Sequence, residues 1–250
     1  MNDKLRILIV DDDRRMTHTL GDILSLAGYE VVEATSGPEA SAKAQTMVFD
    51  CVLSDVKMPG MNGLELYREL RRLQPGLPVV LMTAYSAENL VRHGLVEGVV
   101  AALEKPLDIQ QLLGFCASLA KFRTITVVDD DPAFCQTLGD ILELRGFRVI
   151  KISQAYTDVE RIAADAQIIL LDMKLNNING QDVLQKIRVH YPNIPVLLIT
   201  GYRQEMSAAI QLALDLNAYA CLYKPLIIPE LLQTIAEVRL GQLRSIIKKG

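Results

Sequence analysis

Short apolar runs alternate with longer amphipathic stretches along the whole chain. The runs Ile7–Val10 and Ile168–Leu171 contain no polar side chain, and uninterrupted apolar runs of this length are typical of strands that are covered on both faces. The stretches between such runs place apolar residues at helical spacing. This alternation of strands and helices predicts parallel sheets with crossover helices.

The same pattern predicts ten strands, five in each half of the chain. The predicted strands of the first half are Leu5–Val10, Glu30–Ala34, Cys51–Ser54, Val79–Met82 and Val99–Leu103. Those of the second half are Ile125–Val128, Arg148–Ile152, Ile168–Leu171, Val196–Ile199 and Tyr219–Leu222. Right-handed crossovers leave few arrangements for five such units, and we expect the flavodoxin-like strand order 2-1-3-4-5 in each half. The predicted fold class is therefore α/β, with two (βα)5 doubly wound parallel-sheet domains.

The chain also repeats itself once. Ile7–Val31 matches Ile125–Val149 at 14 of 25 positions, with an offset of 118 residues. This period exceeds the roughly 20–50 residues of repeat arrays and is close to the length of a whole domain, which indicates a duplicated domain. We expect residues 1–122 to form one domain and residues 123–250 the other, with an extended last helix in the second.

Composition and charge exclude several classes of protein. Half of the residues are apolar and 22% are charged, which excludes a mainly disordered chain. The net charge is −4 with acids and bases interspersed, so direct binding to nucleic acid is not expected. No apolar run approaches the roughly 18 residues of a membrane span, and the first residues do not resemble a secretory signal. These features predict a cytoplasmic protein.

The four cysteines predict neither a disulfide framework nor a zinc site. They lie at positions 51, 116, 135 and 221, with no C-x-x-C pair and no close histidine. Disulfide scaffolds and zinc sites require closely spaced or paired cysteines. We therefore expect reduced thiols in or near the core.

Acidic, hydroxyl and basic residues follow the predicted strands at the points where the strands end. Asp11 and Asp12 follow the first strand, Asp55 follows the third, Thr83 follows the fourth and Lys105 comes after the fifth. Because ligands bind at the carboxyl ends of parallel strands, we expect these groups to share one crevice. Three carboxylates in one crevice repel one another unless a cation lies among them, and oxygen ligands favour Mg²⁺.

This set of groups suits the attachment of a phosphoryl group to a carboxylate. Asp55 is the natural nucleophile, while Thr83 can donate to a phosphoryl oxygen and Lys105 can neutralise its charge. Catalysis of such a transfer depends mainly on positioning and on charge neutralisation. The sequence therefore predicts an acceptor site at this edge of the first sheet.

The motifs Val10–Asp13, Asp55–Gly63, Thr83–Ala84 and Lys105–Pro106 together resemble a response-regulator receiver domain of bacterial two-component signalling. The resemblance extends over nearly all of both copies. Five residues on four of the five strand–helix units, in the right order, make it specific. A phosphatase with an aspartyl nucleophile would need a general acid and a substrate cap that this sequence lacks, and a flavin site would not want an acidic first turn.

The resemblance implies a role for each of these residues in the first copy. Asp55 would be the phosphoacceptor, and it would hold Mg²⁺ together with Asp12 and the backbone carbonyl of Lys57. Asp11 would act on the metal through a bound water. The residues that would contact the phosphoryl group and report its presence are Thr83 and Lys105.

The second copy carries the same residue types at the matching positions. Asp172 would be its phosphoacceptor. Its acidic pair, its carbonyl donor and its reporting pair would be Asp129, Asp130, Lys174, Thr200 and Lys224. The third acid of each triplet, Asp13 or Asp131, begins the following helix, and we expect it to cap that helix.

Both copies depart from the family pattern at one position. Receivers usually carry an aromatic residue three positions before the lysine, and here those positions are Ala102 and Cys221. Neither copy can therefore use the inward rotation of an aromatic ring as its signal. Any signal would travel through the threonine of each copy and through backbone shifts.

The resulting expectation is a tandem receiver protein that takes a phosphoryl group from a histidine kinase or a histidine phosphotransfer protein. Asp55 is the expected acceptor, and Asp172 is a second candidate. It would be a signalling protein with self-catalysed phosphotransfer rather than an enzyme, and its output would be protein binding. The alternative is a scaffold or adaptor in which one or both receivers are not phosphorylated. The tail from Gln242 to Gly250 would pack on a partner, close a homodimer, or fray.

Overall fold

The structure is a computed structural model with two compact units. It describes residues 4–84, 88–121, 123–153, 166–175, 178–201, 211, 215 and 217–247. The first unit comprises Met1–Ala120 together with Leu232–Gly250, and the second comprises Lys121–Leu231. The predicted domain boundary between residues 122 and 123 stays a prediction. The division into compact units assigns the last helix beyond Leu231 to the unit that contains the first copy.

The first unit contains a five-stranded parallel sheet. Its strands are β1 (Arg6–Val10), β2 (Glu30–Ala34), β3 (Cys51–Asp55), β4 (Val79–Thr83) and β5 (Ala101–Glu104). They are arranged in the order β2-β1-β3-β4-β5. The helices of this copy are α1 (Arg14–Leu26), α2 (Gly37–Thr46), α3 (Gly63–Leu73), α4 (Glu88–Glu97) and α5 (Ile109–Lys121). The predicted fold class and strand order are confirmed for this copy.

The second copy repeats this architecture. The strands of its main sheet are β6 (Thr124–Val128), β7 (Arg148–Ile152), β8 (Ile168–Asp172), β11 (Val196–Thr200) and β12 (Ala220–Tyr223). They are parallel in the order β7-β6-β8-β11-β12, which is again 2-1-3-4-5. A small antiparallel pair follows β8 and consists of β9 (Lys174–Leu175) and β10 (Ile178–Asn179). The described helices are α6 (Pro132–Glu143), α7 (Gly180–His190) and α8 (Ile228–Ile247).

The strand registers bring the polar strand ends to one edge of each sheet. Val10 of β1 pairs with Ser54 of β3. The next residue of each strand, Asp11 or Asp55, therefore lies at the same level of the sheet. On the other side of β3, Asp55 pairs with Met82. The apolar strand residues before these ends are almost fully buried, which holds the edge rigidly in place. None of the described helices combines the length and the apolar character needed to cross a bilayer.

Helix α8 contributes to the core of the first unit beyond Leu231. Leu243 is fully buried, and a Cβ placed on Gly76 would lie only 2.3 Å from the Cβ of Ala236. Gly76 also has a φ of 83°, which favours glycine. The described part of the C-terminal tail, as far as Ile247, is thus packed helix. Of the three alternatives for this tail, fraying does not apply to these residues, because burial of Leu243 stabilises them.

We expect Thr126→Val to stabilise the second unit. Thr126 is fully buried in β6, beside Ile169 of β8, and among the described residues its hydroxyl has no hydrogen-bond partner. Removing an unsatisfied buried hydroxyl should raise the free energy of unfolding by about 1 kcal/mol. Thermal unfolding measures this change, with Thr137→Val on the exposed face of α6 as the control. A lower midpoint for Thr126→Val than for the wild type would contradict the prediction.

Candidate functional site

One ammonium bridges two buried carboxylates at the edge of the first sheet. The Nζ of Lys105 lies 2.7 Å from Asp11 Oδ2 and 2.5 Å from Asp55 Oδ1. The side chains of Asp11 and Asp55 are only 3% and 11% exposed, whereas that of Lys105 is 24% exposed. The structure therefore brings together three of the predicted residues from three separate strand ends.

Backbone amides orient the two carboxylates. The amide of Lys57 donates to Asp55 Oδ2 at 2.9 Å, and the amide of Asp13 donates to Asp11 Oδ1 at 2.9 Å. Each acid thus accepts one hydrogen bond from the ammonium and one from the backbone. Hydrogen bonds to an ionised group are stronger than those between neutral groups, so this arrangement fixes both side chains.

Burial and charge act against each other in this cluster. Burial raises the pKa of Asp55 above its ordinary value, and the hydrogen bond from Lys105 offsets only part of that rise. Burial alone would lower the pKa of Lys105, but its contacts with Asp11 and Asp55 outweigh burial and raise the pKa. The lysine is therefore held in its charged form beside a carboxylate that is costly to ionise.

The second copy reproduces the same geometry. The Nζ of Lys224 lies 2.6 Å from Asp129 Oδ2 and 2.8 Å from Asp172 Oδ2. The amide of Asp131 donates to Asp129 Oδ1 at 2.9 Å, and that of Lys174 donates to Asp172 Oδ1 at 3.1 Å. Burial raises the pKa of Asp129 despite its bond to Lys224. The pKa of Lys224 is also raised, because its two carboxylate contacts outweigh burial.

The third acidic residue, Asp12 or Asp130, is placed differently in the two copies. Asp129, Asp130 and Asp172 each offer an oxygen within 4.8 Å of the others. Among the residues that the structure describes, no other three metal-ligating side chains are gathered in this way, and Asp12 is exposed. Three carboxylate oxygens are a donor set that suits a hard cation such as Mg²⁺. The residues present in the second copy therefore fit the ion that the resemblance implies.

The two predicted threonines are buried beside these clusters. Thr83 ends β4, and its hydroxyl donates to the carbonyl of Ala84 at 2.8 Å rather than to a carboxylate. Thr200 ends β11 and is fully buried. In both copies the amide of the lysine donates to the carbonyl of the threonine at 2.7 Å. This bond couples the backbones of the two reporting residues, and the peptide bond after each lysine is cis.

The remaining sequence expectations concern the helix caps and the missing aromatic residues. Asp13 and Asp131 cap α1 and α6 as predicted, because their side chains accept bonds from backbone amides of the first turn. Ala102 lines a cavity of about 520 Å³ in the first unit, together with Thr83 and Leu95. The small side chain of Ala102 thus leaves open space where receivers usually carry a ring.

Two glycines that the repeat contains also shape the sites. Gly63 and Gly180 begin α3 and α7, directly after the capping residues Asn62 and Asn179. A Cβ on Gly63 would lie 2.3 Å from the carbonyl oxygen of Asp55. The absence of a side chain allows the helix to start against the acceptor strand. No role was predicted for these glycines from the sequence, although their recurrence at matching positions of both copies was a usable signal.

We expect Gly63→Ala to displace the backbone that carries Asp55. The new methyl group would meet main-chain atoms, which cannot rotate away as a side chain can. Such overpacking should lower the free energy of unfolding by about 1–3 kcal/mol. Denaturant titration measures this loss, and Gly114→Ala in α5, where a Cβ would have no neighbour within 4 Å, is the matched control. Equal stability of the two variants would contradict the role given to Gly63.

Phe134 is a further residue of the second site that the sequence analysis missed. Its ring lies in the first turn of α6, with the Nζ of Lys224 4.2 Å from the ring centroid. The first copy carries Met16 at the matching position. This difference between the copies was visible in the repeat, but only the fold shows that the side chain reaches the lysine.

Comparison with known proteins gives consistent results for both copies. The model of the response regulator receiver domain matches residues 7–116 and 125–236. A response regulator receiver protein of Anaeromyxobacter sp. (strain Fw109-5) is 34% identical over 78% of this chain and 82% of its own length. The transcriptional regulatory protein ZraR of Escherichia coli (strain K12) is 40% identical over 44% of this chain, and the matched segment covers only 25% of the length of ZraR.

A solved structure of a CheY-like response regulator receiver domain protein from Methanospirillum hungatei JF-1 is 33% identical, covers 47% of this chain and 94% of its own, and has a TM-score of 0.45. The family model covers most of the chain in two separate matches. The chain therefore belongs to the response regulator receiver domain family, with two receiver domains in tandem.

Proposed function

We propose that the two receivers accept phosphoryl groups on Asp55 and Asp172 from the phosphohistidine of a histidine kinase or a histidine phosphotransfer protein. The observation that carries the proposal is the lysine-bridged pair of buried carboxylates, which recurs in both copies with the same hydrogen bonds. A structural ion pair needs one carboxylate for one ammonium, whereas here two buried carboxylates share one ammonium at the edge of the sheet where ligands bind.

In the proposed step, a carboxylate oxygen of Asp55 attacks the phosphorus of the donor. A P–O bond forms, the P–N bond to the donor imidazole breaks, and its electron pair stays on the imidazole nitrogen. The ammonium of Lys105 faces the incoming negative charge and is already desolvated and oriented, so little reorganisation is needed. Asp172 and Lys224 take the same roles in the second receiver.

The acidic residues would hold the metal that the family requires. In the second receiver these are Asp129, Asp130 and Asp172, with the carbonyl of Lys174. In the first receiver they are Asp11, Asp12 and Asp55, with the carbonyl of Lys57. Bound Mg²⁺ would offset the negative charge of the phosphoryl oxygens. The carboxylates would then share their charge between the metal and the lysine rather than repel one another.

Thr83 and Thr200 would report the arrival of the phosphoryl group. The hydroxyl of Thr83 now donates to a neighbouring carbonyl, and a phosphoryl oxygen is a stronger acceptor. Exchange of one acceptor for the other would shift the end of β4 and, through the shared backbone bond, the amide of Lys105. Such a shift would change the surface next to Ala102, and the output would be the binding of a protein partner in the cytoplasm.

Intact-mass spectrometry tests this function. The protein is incubated with acetyl phosphate, a small-molecule phosphoryl donor, in the presence of Mg²⁺. We expect the mass to increase by two phosphoryl groups, and the increase to disappear when the metal is removed by a chelator. No mass increase under any condition would overturn the proposal and favour a scaffold that binds partners through the surface beside Ala102.

A further inference from the structure

Among the described residues, the ammonium of Lys224 contacts two carboxylates and the face of an aromatic ring. It contacts Asp129 and Asp172 on one side, at 2.6 and 2.8 Å. On another side it lies over the ring of Phe134, 4.2 Å from the centroid. The face of an aromatic ring carries partial negative charge and attracts a cation at this distance. The lysine is thus confined by two carboxylates and a ring.

The first receiver lacks this third neighbour in its sequence. The position that matches Phe134 carries Met16, whose thioether has no ring face. The lysine, both carboxylates and the orienting amides are otherwise the same in the two copies. The ring is therefore a feature of the second receiver alone within these matched sites.

Lysine is a side chain for which such confinement matters. Its four-carbon stem has many rotamers, and ordering it costs conformational entropy. A ring that already holds the ammonium over the carboxylates removes part of that cost before a phosphoryl group arrives. Phe134 is half-buried, so its ring also shields one side of the ammonium from water.

We propose that Phe134 is a positioning residue that holds the ammonium of Lys224 over Asp129 and Asp172, and that it makes the second receiver's site more preorganised than the first. The placement of the ring is independent of the proposed function. The effect on phosphoryl transfer rests on that function. The two parts are therefore tested by separate measurements.

Fluorescence tests the placement. The chain contains no tryptophan, so Phe134→Trp introduces a single indole that keeps an aromatic face toward Lys224. We expect its emission to change when Lys224→Met is added, because the cation is removed from the ring. Ala133→Trp is the matched control on the exposed neighbouring position, and its emission should not respond to Lys224→Met. An equal response, or none at either position, would overturn the placement, provided that circular dichroism shows the variants folded.

Phosphorylation kinetics test the effect. In an Asp55→Asn background, where Asp172 is the single expected acceptor, we expect Phe134→Leu and Phe134→Met to slow uptake from acetyl phosphate about threefold, and Phe134→Tyr to retain the wild-type rate. Met16→Leu in an Asp172→Asn background is the control for loss of side-chain bulk and should leave the rate unchanged. Equal slowing by tyrosine and leucine would refute a role for the ring. If the wild type takes up no phosphate at all, the proposed function fails, and the fluorescence result alone decides the position of Phe134.

Discussion

With acetyl phosphate as donor, Asp55→Asn and Asp172→Asn should each remove one of the two added phosphoryl groups, and the double variant should take up none. An asparagine amide has nearly the shape of the carboxylate but carries no negative oxygen to attack phosphorus. We expect the rate at the altered site to fall by at least about a hundredfold, as for removal of other nucleophiles. Intact-mass spectrometry of the four proteins reads out both sites at once.

The same variants should remain folded. Burial raises the pKa of Asp55, so ionising this carboxyl costs more free energy in the folded protein than in the unfolded chain. Neutral asparagine removes that cost, and we expect the Asp55→Asn variant to unfold at a temperature no lower than that of the wild type. Asp22→Asn, which removes one exposed carboxylate from α1, is the control for a general charge effect. Full uptake by Asp55→Asn would show that a different residue is the first acceptor.

The second large effect is expected from Lys105→Met. This change leaves Asp11 and Asp55 buried close together without their shared ammonium. Removal of one partner from a fully buried ion pair typically costs 3–5 kcal/mol, and the partial exposure of Lys105 reduces this to about 2 kcal/mol. For a chain of this size such a loss lowers the unfolding midpoint by roughly 4–8 °C at neutral pH. Differential scanning calorimetry measures it.

The pH dependence distinguishes this mechanism from a simple loss of packing. The raised pKa of Asp55 means that the folded state gains stability as the pH falls through that pKa, and removal of the lysine should enlarge this gain. The raised pKa of Lys105 stabilises the wild type below the ordinary value of 10.5, and this contribution is lost as the pH rises through the folded pKa. That alkaline loss should be absent from Lys105→Met.

Lys4→Met serves as the control, since Lys4 is exposed and lies outside the cluster. It should change neither the midpoint at neutral pH nor its dependence on pH. If the unfolding midpoints of Lys105→Met and the wild type differ by the same amount at acid pH as at neutral pH, the carboxylates do not repel one another. The electrostatic account is then wrong.

The strands were predicted from hydrophobic patterning, with one systematic error. The predicted strands ended at Ser54, Met82, Leu171 and Ile199, and in each case the observed strand extends by one polar residue. Those added residues are the proposed acceptors and reporting threonines. Strand pairing depends on backbone groups and not on side-chain polarity, so a pattern of apolar residues stops short of a polar strand end. The acceptors therefore lie on rigid strands rather than in loops.

Residue type and spacing predicted which groups meet, but not how each copy arranges them. Asp12 and Asp130 occupy matching positions, yet only Asp130 joins a three-carboxylate cluster among the described residues. The contact of Phe134 with Lys224 depends on the direction of one side chain from the first turn of a helix, which a repeat alignment does not contain. The addition of α8 to the first unit likewise depends on tertiary packing.

The first unit is built from two segments that are far apart in the sequence, and this sets the order in which its parts are synthesised. Ribosomes make chains from the amino end, so α8 beyond Leu231 follows the 111 residues of Lys121–Leu231. At typical translation rates this delay is on the order of 10 s. During that time the nascent first receiver lacks the contacts of Leu243 and Ala236, and its surface around Gly76 is uncovered. The first receiver to leave the ribosome is therefore the last to be completed, and a fragment that ends at Ala120 would remain permanently at this intermediate stage.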